Sequence, residues 1–332
     1  MRNVPINWQR ELAEAITEPR ELLAALGLPS ALAEPAERAS RSFGLRVPRG
    51  FVARMRHGDP HDPLLRQVLP MGEELLETPG FVPDPLEEAS ARRAPQLLQK
   101  YRGRALLITT GACAVHCRYC FRREFPYSPA DEERGGSGGR WSEALAAIAA
   151  DASIEEVILS GGDPLSLSDA RLTRLTGALV AIPHLRRLRV HTRQPIVLPS
   201  RVDAGLQAWL RGIPLPVVMV LHANHPNEIS DEVRAACKAM REAGATLLYQ
   251  SVLLRGVNDD VETLRELSCA LADAGVMPYY LHVPDRVRGT AHFDVDEGAA
   301  RKLIDGLAGQ LSGYLVPKLV REIPGAVSKV AV

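Results

Sequence analysis

The chain has 332 residues, 46% of them hydrophobic and 24% charged, which excludes a disordered polymer or a minimal disulfide-held module and allows one large core. Forty basic residues balance forty acidic ones, so no general grip on nucleic acid or on an anionic membrane is implied. No apolar run approaches the roughly 18 residues of a membrane span, and Met1-Arg2-Asn3-Val4-Pro5 leads into a polar, periodic segment rather than an apolar signal core; a cytoplasmic protein is expected.

Residues 1–99 read as a helical cap. Apolar residues recur at helical spacing over Trp8–Leu26, Ser30–Phe43 is rich in Ala and Glu, and Pro48–Arg56 starts another turn. A proline-dense connector at 79–85 precedes the charged segment Leu86–Leu98, which again has helical character. From Ala105 the rhythm changes to short apolar runs: Ala105–Thr109, Glu156–Leu159, Arg187–His191, Val217–His222, Thr246–Val252 and Pro278–His282. Each is followed by a helix candidate: Trp141–Ala150, Asp169–Ala181, Arg201–Arg211, Ser230–Ala243, Val261–Ala274 and Val295–Leu311. The repeated βα unit over 100–315 predicts an α/β fold with a parallel sheet, open or curled into a barrel, and chemistry at the C-terminal strand ends. The Gly-rich insert 131–140 reads as a flexible surface loop and is given no function.

Three of the five cysteines crowd into Cys113-Ala-Val-His-Cys117-Arg-Tyr-Cys120, just after the first of these strands, so three thiolates converge on one loop. Such soft ligands suit an iron–sulfur cluster with one open iron, or zinc with His116 as a fourth ligand. Cys237 and Cys269 fall in helical patterns and read as core thiols. After the next strand comes Ser160-Gly161-Gly162-Asp163-Pro164: glycines let a backbone approach a ligand, and Asp163 can accept from an ammonium group, although an ordinary turn has the same composition.

The C-x3-C-x2-C arrangement resembles the signature of the radical S-adenosylmethionine (SAM) superfamily. That resemblance implies a partial (β/α)6 barrel with an N-terminal helical extension, and a [4Fe–4S] cluster on Cys113, Cys117 and Cys120 whose open iron binds SAM. It also implies Tyr119 near the adenine and Gly161, Gly162 and Asp163 at the methionine amino group; Gln250, with His222 and Asn258-Asp259, lies at a strand end, the place of the SAM site, where a buried polar residue can equally satisfy backbone groups. Longer stretches narrow the likeness: Lys100-Tyr101 to Arg104, Cys120-Phe121-Arg122-Arg123, His191 to Pro199, His225 to Ile229, Gln250 to Asp259 and Pro278-Tyr279-Tyr280. Together they are similar to the lysine 2,3-aminomutase family. His282-Val-Pro-Asp285-Arg286 and Gly313 to Leu319 resemble its bacterial branch that supplies β-lysine for modification of translation elongation factor P.

Membership implies an isomerase that moves the amino group of L-lysine from C2 to C3, using pyridoxal 5′-phosphate (PLP) and an electron donor such as flavodoxin or ferredoxin. The family's Schiff-base lysine follows a Pro-Gly turn near the end of the barrel, which assigns Lys329 in the segment 316–332, with Lys318 as the rival. Lys100, Tyr101, Arg104 and His282 are placed near PLP, Arg122 on the substrate α-carboxylate, and Asp285 with Glu322 on the substrate ammonium. Free-lysine aminomutases carry aspartate where Glu322 stands. On the residues alone, a radical enzyme of other chemistry and a non-catalytic iron–sulfur or zinc protein remain alternatives.

Overall fold

The structure, a computed structural model, describes residues 8–127 and 139–332; most of the Gly-rich insert lies outside the described residues. Ten strands form one sheet in chain order. β1 (Arg92–Ala94), β2 (Leu97–Tyr101) and β3 (Arg104–Thr110) pair antiparallel. A parallel run then continues through β4 (Glu156–Gly161), β5 (Arg187–Thr192), β6 (Val217–His222), β7 (Thr246–Val252), β8 (Met277–His282) and β9 (Lys318–Arg321). β10 (Val330–Ala331) closes the order antiparallel to β9.

All six expected strands are present, and helices follow them as the periodicity implies. β9 is an additional parallel strand, and β1, β2 and β10 extend the sheet at both edges. The sheet therefore runs from Arg92 to Ala331, across the boundaries drawn at 100 and 315. Leu86–Leu98 is not a helix. Glu87 and Gln96 adopt left-handed φ values of 49° and 65°, Pro95 offers no backbone donor, and Leu97 and Leu98 pair with Leu107 and Leu106 of β3. Pairing overrides the local pattern.

Strand periodicity divides the side chains between two faces. Val157 and Leu159 of β4, Leu188 and Val190 of β5, Val217, Met219 and Leu221 of β6, and Leu247 and Tyr249 of β7 pack into one core. The helices Asp169–Val180, Ala204–Arg211 and Asp231–Glu242 supply Leu172, Leu206, Trp209 and Met240 to the same core. The alternate residues Ser160, His191, His222, Gln250 and His282 face the opposite way and line a cavity. The sheet is curled: Lys100 of β2 reaches Glu322, just beyond β9, with Nζ 2.7 Å from Oε1.

The N-terminal cap is a set of short helices around its own core. Its first stretch is split into Trp8–Ala13 and Pro19–Ala25, because Pro19 starts a new helix and Ile16 forms a reciprocal backbone bridge to Val47, 2.9 Å in each direction. Leu22, Phe51, Leu64 and Val68 of this cap bury against Ala114 and Val115, two of the three residues between the first two cysteines. The cap thus packs on the cysteine loop.

Candidate active site

Every site residue proposed from the sequence lines one cavity of about 360 Å³ at the C-terminal strand ends. Rival Lys318 is exposed at the start of β9 and is not part of the lining.

The cysteine loop leaves β3 at Thr110 and is anchored from the cap side. His116 N donates to Arg46 O at 2.9 Å, and Arg118 N donates to Gln67 O at 2.9 Å. The Arg118 guanidinium is fully buried, with Nε 2.8 Å from Glu74 Oε1 and Nη1 2.7 Å from Phe43 O; Arg123 Nη2 shares Glu74 Oε2 at 2.6 Å. His116 Nδ1 sits 2.9 Å from Gly44 O, which ties the imidazole to the cap. Among the described residues, no three His, Cys, Asp or Glu side chains are gathered as ligands of one metal ion. A cube that offers each thiolate a separate iron asks for wider spacing. Burial, with the neighbouring thiol of Cys117, pushes Cys120 up to about 11 and, with Asp163 nearby, pushes Cys113 well up, so a bound cation is what would hold them as thiolates.

Gly161 and Gly162 lie directly against this loop. A Cβ on Gly161, whose φ is +119°, would stand 2.6 Å from Thr110 O, and one on Gly162 would stand 2.4 Å from Ala112 O. The glycines let two strand-end loops touch. Asp163 is in place, but both its oxygens are used by the protein. Oδ1 accepts from Leu165 N at 3.0 Å and Thr192 Oγ1 at 2.7 Å; Oδ2 accepts from Arg193 N at 2.7 Å and Gln194 N at 3.0 Å. The carboxylate joins the end of β4 to the turn after β5 and keeps no free acceptor site for a methionine ammonium.

The far end holds alternating charges. Arg122 grips Glu88 through Nε–Oε2 at 2.7 Å and Nη2–Oε1 at 2.8 Å, and donates from Nη1 to Ser160 Oγ at 3.1 Å. Lys100 Nζ lies 3.1 Å from Glu88 Oε1 and 2.7 Å from Glu322 Oε1, while Lys329 Nζ donates to Glu322 Oε2 at 2.5 Å. The chain of contacts is Arg122, Glu88, Lys100, Glu322, Lys329. Glu88 was missed in the sequence because it lay in a segment read as a helix. Burial opposes its charge, but Arg122 and Lys100 outweigh that and hold the carboxyl below its usual range. Burial likewise opposes the charge on Glu322, yet Lys329 and Lys100 bring it down to about 2. Asp285 has no such clamp: burial, reinforced by Glu322, pushes it up to about 7. Arg122, expected on a carboxylate, is left with one N–H on each terminal nitrogen.

Between the two ends the wall is aromatic. Tyr279 and Tyr280 stack with centroids 3.7 Å apart, Tyr280 meets His282 edge-on, and Lys329 Nζ is 5.9 Å from the Tyr280 centroid. Arg104 lies over the Tyr101 ring, 4.6 Å from its centroid, and pairs with no carboxylate among the described residues. Among the described residues, Tyr101 Oη, His191 Nε2, Gln250 Oε1 and His282 Nε2 find no hydrogen-bond partner, which leaves four buried polar atoms of the cavity wall for ligand atoms. Burial drives His222 down to about 3 and His191 and His282 well below the usual range, so these rings are neutral donors or acceptors. An unclamped guanidinium, a lysine facing stacked rings and unsatisfied polar atoms fit a phosphorylated pyridine aldehyde.

A curled parallel sheet with a three-cysteine loop after its first parallel strand defines the class: the Radical SAM superfamily profile matches residues 107–267. The chain is 49% identical to the L-lysine 2,3-aminomutase of Escherichia coli (strain K12) over 97% of its own length and 93% of that protein. It is 46% identical to the L-lysine 2,3-aminomutase of Haemophilus influenzae (97% and 94%) and 34% identical to that of Clostridium subterminale (98% and 77%). The chain belongs to the lysine 2,3-aminomutase family. Among solved structures, a radical SAM methyltransferase from Sphaerobacter thermophilus superposes with a TM-score of 0.47 at 18% identity, covering 68% of each chain. No helix among the described residues is long and apolar enough to cross a membrane.

Proposed function

We propose that the protein is a SAM- and PLP-dependent L-lysine 2,3-aminomutase, acting in the cytoplasm on free lysine. The observation that carries this reading is one cavity holding the three-cysteine loop at one end and Lys329 with Glu322 and Asp285 at the other. Cys113, Cys117 and Cys120 would hold a [4Fe–4S] cluster, which would supply the electron for SAM cleavage, and Lys329 would hold PLP, which would supply a π-system for the migrating nitrogen.

The remaining roles belong to the chain's own side chains. Arg104, unpaired with any carboxylate among the described residues, suits a phosphate dianion, and Tyr101 Oη beside it has a hydrogen bond to give. Arg122 uses its two spare N–H groups on the substrate carboxylate while Glu88 fixes the guanidinium plane. Lys329 would hold PLP, and Glu322 Oε2, which accepts from Lys329 Nζ, would then be open to the substrate ammonium. Asp285, poised near neutrality, deprotonates as the ammonium arrives, since an opposite charge stabilises its ionised form. The neutral rings of His191, His222 and His282 add hydrogen-bonding groups without adding charge that would repel the substrate.

We further propose a low-potential one-electron donor of the flavodoxin or ferredoxin type, and delivery of the product to modification of elongation factor P. The second rests on the branch-like segments 282–286 and 313–319. The decisive assay is anaerobic incubation of reconstituted protein with L-lysine, SAM, PLP and dithionite, read by mass spectrometry after derivatisation. β-Lysine is expected; SAM cleavage without it would point to other radical chemistry. For the pathway, deleting the gene should leave the elongation factor's target lysine without a β-lysyl mass increment.

A further inference from the structure

Arg193 has no part in the scheme above, yet it is among the most heavily engaged side chains of the cavity wall. Its side chain is 6% exposed. Nη2 donates to Gln67 Oε1 at 2.8 Å and to Glu228 Oε2 at 2.9 Å, which uses both its hydrogens. The backbone N is fixed on Asp163 Oδ2 at 2.7 Å. With its head and its main chain held, Nη1 is directed at the Cys117 sulfur, 3.0 Å away, and also contacts Tyr119 Oη. Glu228 is itself fixed: its Oε1 accepts from Asn224 N at 2.8 Å, His225 N at 3.0 Å and Gln67 Nε2 at 3.2 Å.

We propose that Arg193 is a positioning residue for the iron–sulfur cluster, its Nη1 donating to the Cys117 sulfur and favouring the reduced state. This rests on the reading that Cys113, Cys117 and Cys120 carry the cluster. Reduction from the 2+ to the 1+ level adds one electron from the external donor, with no bond made or broken, and part of the added charge falls on the cysteine sulfurs. An N–H donor that is always cationic stabilises that charge more than the oxidised state, and does so strongly where water is excluded. Glu228 offsets the cation only in part: it is bonded at Nη2, on the side of the guanidinium away from the sulfur contact, and three further donors share its charge. Gln67 brings the N-terminal cap into the same arrangement, so the cap contributes to cluster energetics as well as to packing.

The test compares the wild-type chain with Arg193→Gln and Arg193→Lys after anaerobic reconstitution. Iron and sulfide per chain are measured first, and the cluster midpoint is then determined by EPR-monitored redox titration without SAM or lysine. The expected result is unchanged iron and sulfide content, a midpoint shifted to more negative potential in Arg193→Gln, and a smaller shift in Arg193→Lys. An intact cluster with an unmoved midpoint in Arg193→Gln overturns the proposal. So does an unmoved midpoint accompanied by weakened SAM binding, which would assign the guanidinium to the cosubstrate instead. If the Gln variant takes up no cluster, the Lys variant decides: its fork-less ammonium cannot hold Gln67, Glu228 and the sulfur together, so a negative shift supports the proposal and an unchanged midpoint overturns it. A wild-type chain that takes up no iron would sink the cluster reading and this assignment with it, a result distinct from an intact cluster at an unmoved potential.

Discussion

The two ends of the cavity are built differently. At the cysteine end the charged groups are held by neutral and ionic partners that a ligand has no need to displace: Glu74 on Arg118 and Arg123, Glu228 on Arg193, and four donors on Asp163. At the lysine end Lys329 and Glu322 hold each other, Arg122 keeps two spare N–H groups, and for Asp285 burial and Glu322 outweigh the nearby cations of Lys329 and Lys100. The first end presents a fixed frame for a cluster of constant shape. The second pairs its charges with one another, Lys100 and Lys329 on Glu322, which compensates charges that are otherwise costly to bury.

The comparison breaks most sharply under changes that remove a reacting group. Cys117→Ala should abolish formation of 5′-deoxyadenosine from SAM while circular dichroism shows an intact barrel, because the loop backbone is anchored through Gln67 and Arg46 rather than through the thiol. Parent-rate cleavage in that variant would remove Cys117 from the ligand set. Next in size is Glu74→Ala, which leaves two buried guanidinium groups without their carboxylate; a loss of about 3–5 kcal/mol is expected in urea unfolding. The corresponding change at the other end, Glu88→Ala, should cost less stability than Glu74→Ala, since Lys100 retains Glu322 and Arg122 retains Ser160. Equal costs would contradict the contrast between a fixed and an exchangeable end.

A subtler test uses pH. Asp285 has its folded pKa raised from 3.8 to about 7, so it binds a proton more tightly in the folded than in the unfolded chain. Its contribution favours folding at low pH and is lost as pH rises through about 7, where the mismatch is worth up to about 4 kcal/mol before solvent screening. Asp285→Asn should therefore raise the melting temperature of the empty protein at pH 8, raise it less at pH 5, and slow lysine turnover at least tenfold. A variant that is no more stable at pH 8 than the parent would show that Asp285 is not strained by its surroundings.

The same contrast explains what could be read from the residues alone. The cysteine end is written in short range: Cys113 to Cys120 span one loop, and Gly161 to Asp163 follow the next strand, so spacing and turn chemistry expose them. Six of the seven parallel strands were equally legible, because buried parallel strands are short apolar runs. The lysine end joins β2, the loop after β8, the residue after β9 and the chain's tail, and only the resemblance to a family brought those positions together. Glu88 carried no signal of its own, since a carboxylate in a charged segment reads as solvated until pairing of Leu97 and Leu98 with β3 turns the segment inward. Asp163 shows the reverse: it lines the cavity, but its four protein donors make it a joint between strands.

The central claim is that Lys329 is the exchangeable partner at the lysine end, paired with Glu322 when free and bonded to PLP when loaded. Borohydride reduction of the PLP-loaded protein, followed by peptide mapping, tests it most directly. The account predicts the pyridoxyl mass on Lys329, with labelling lost in Lys329→Met. A pyridoxyl group on Lys318 or Lys100, or on no lysine, would contradict it.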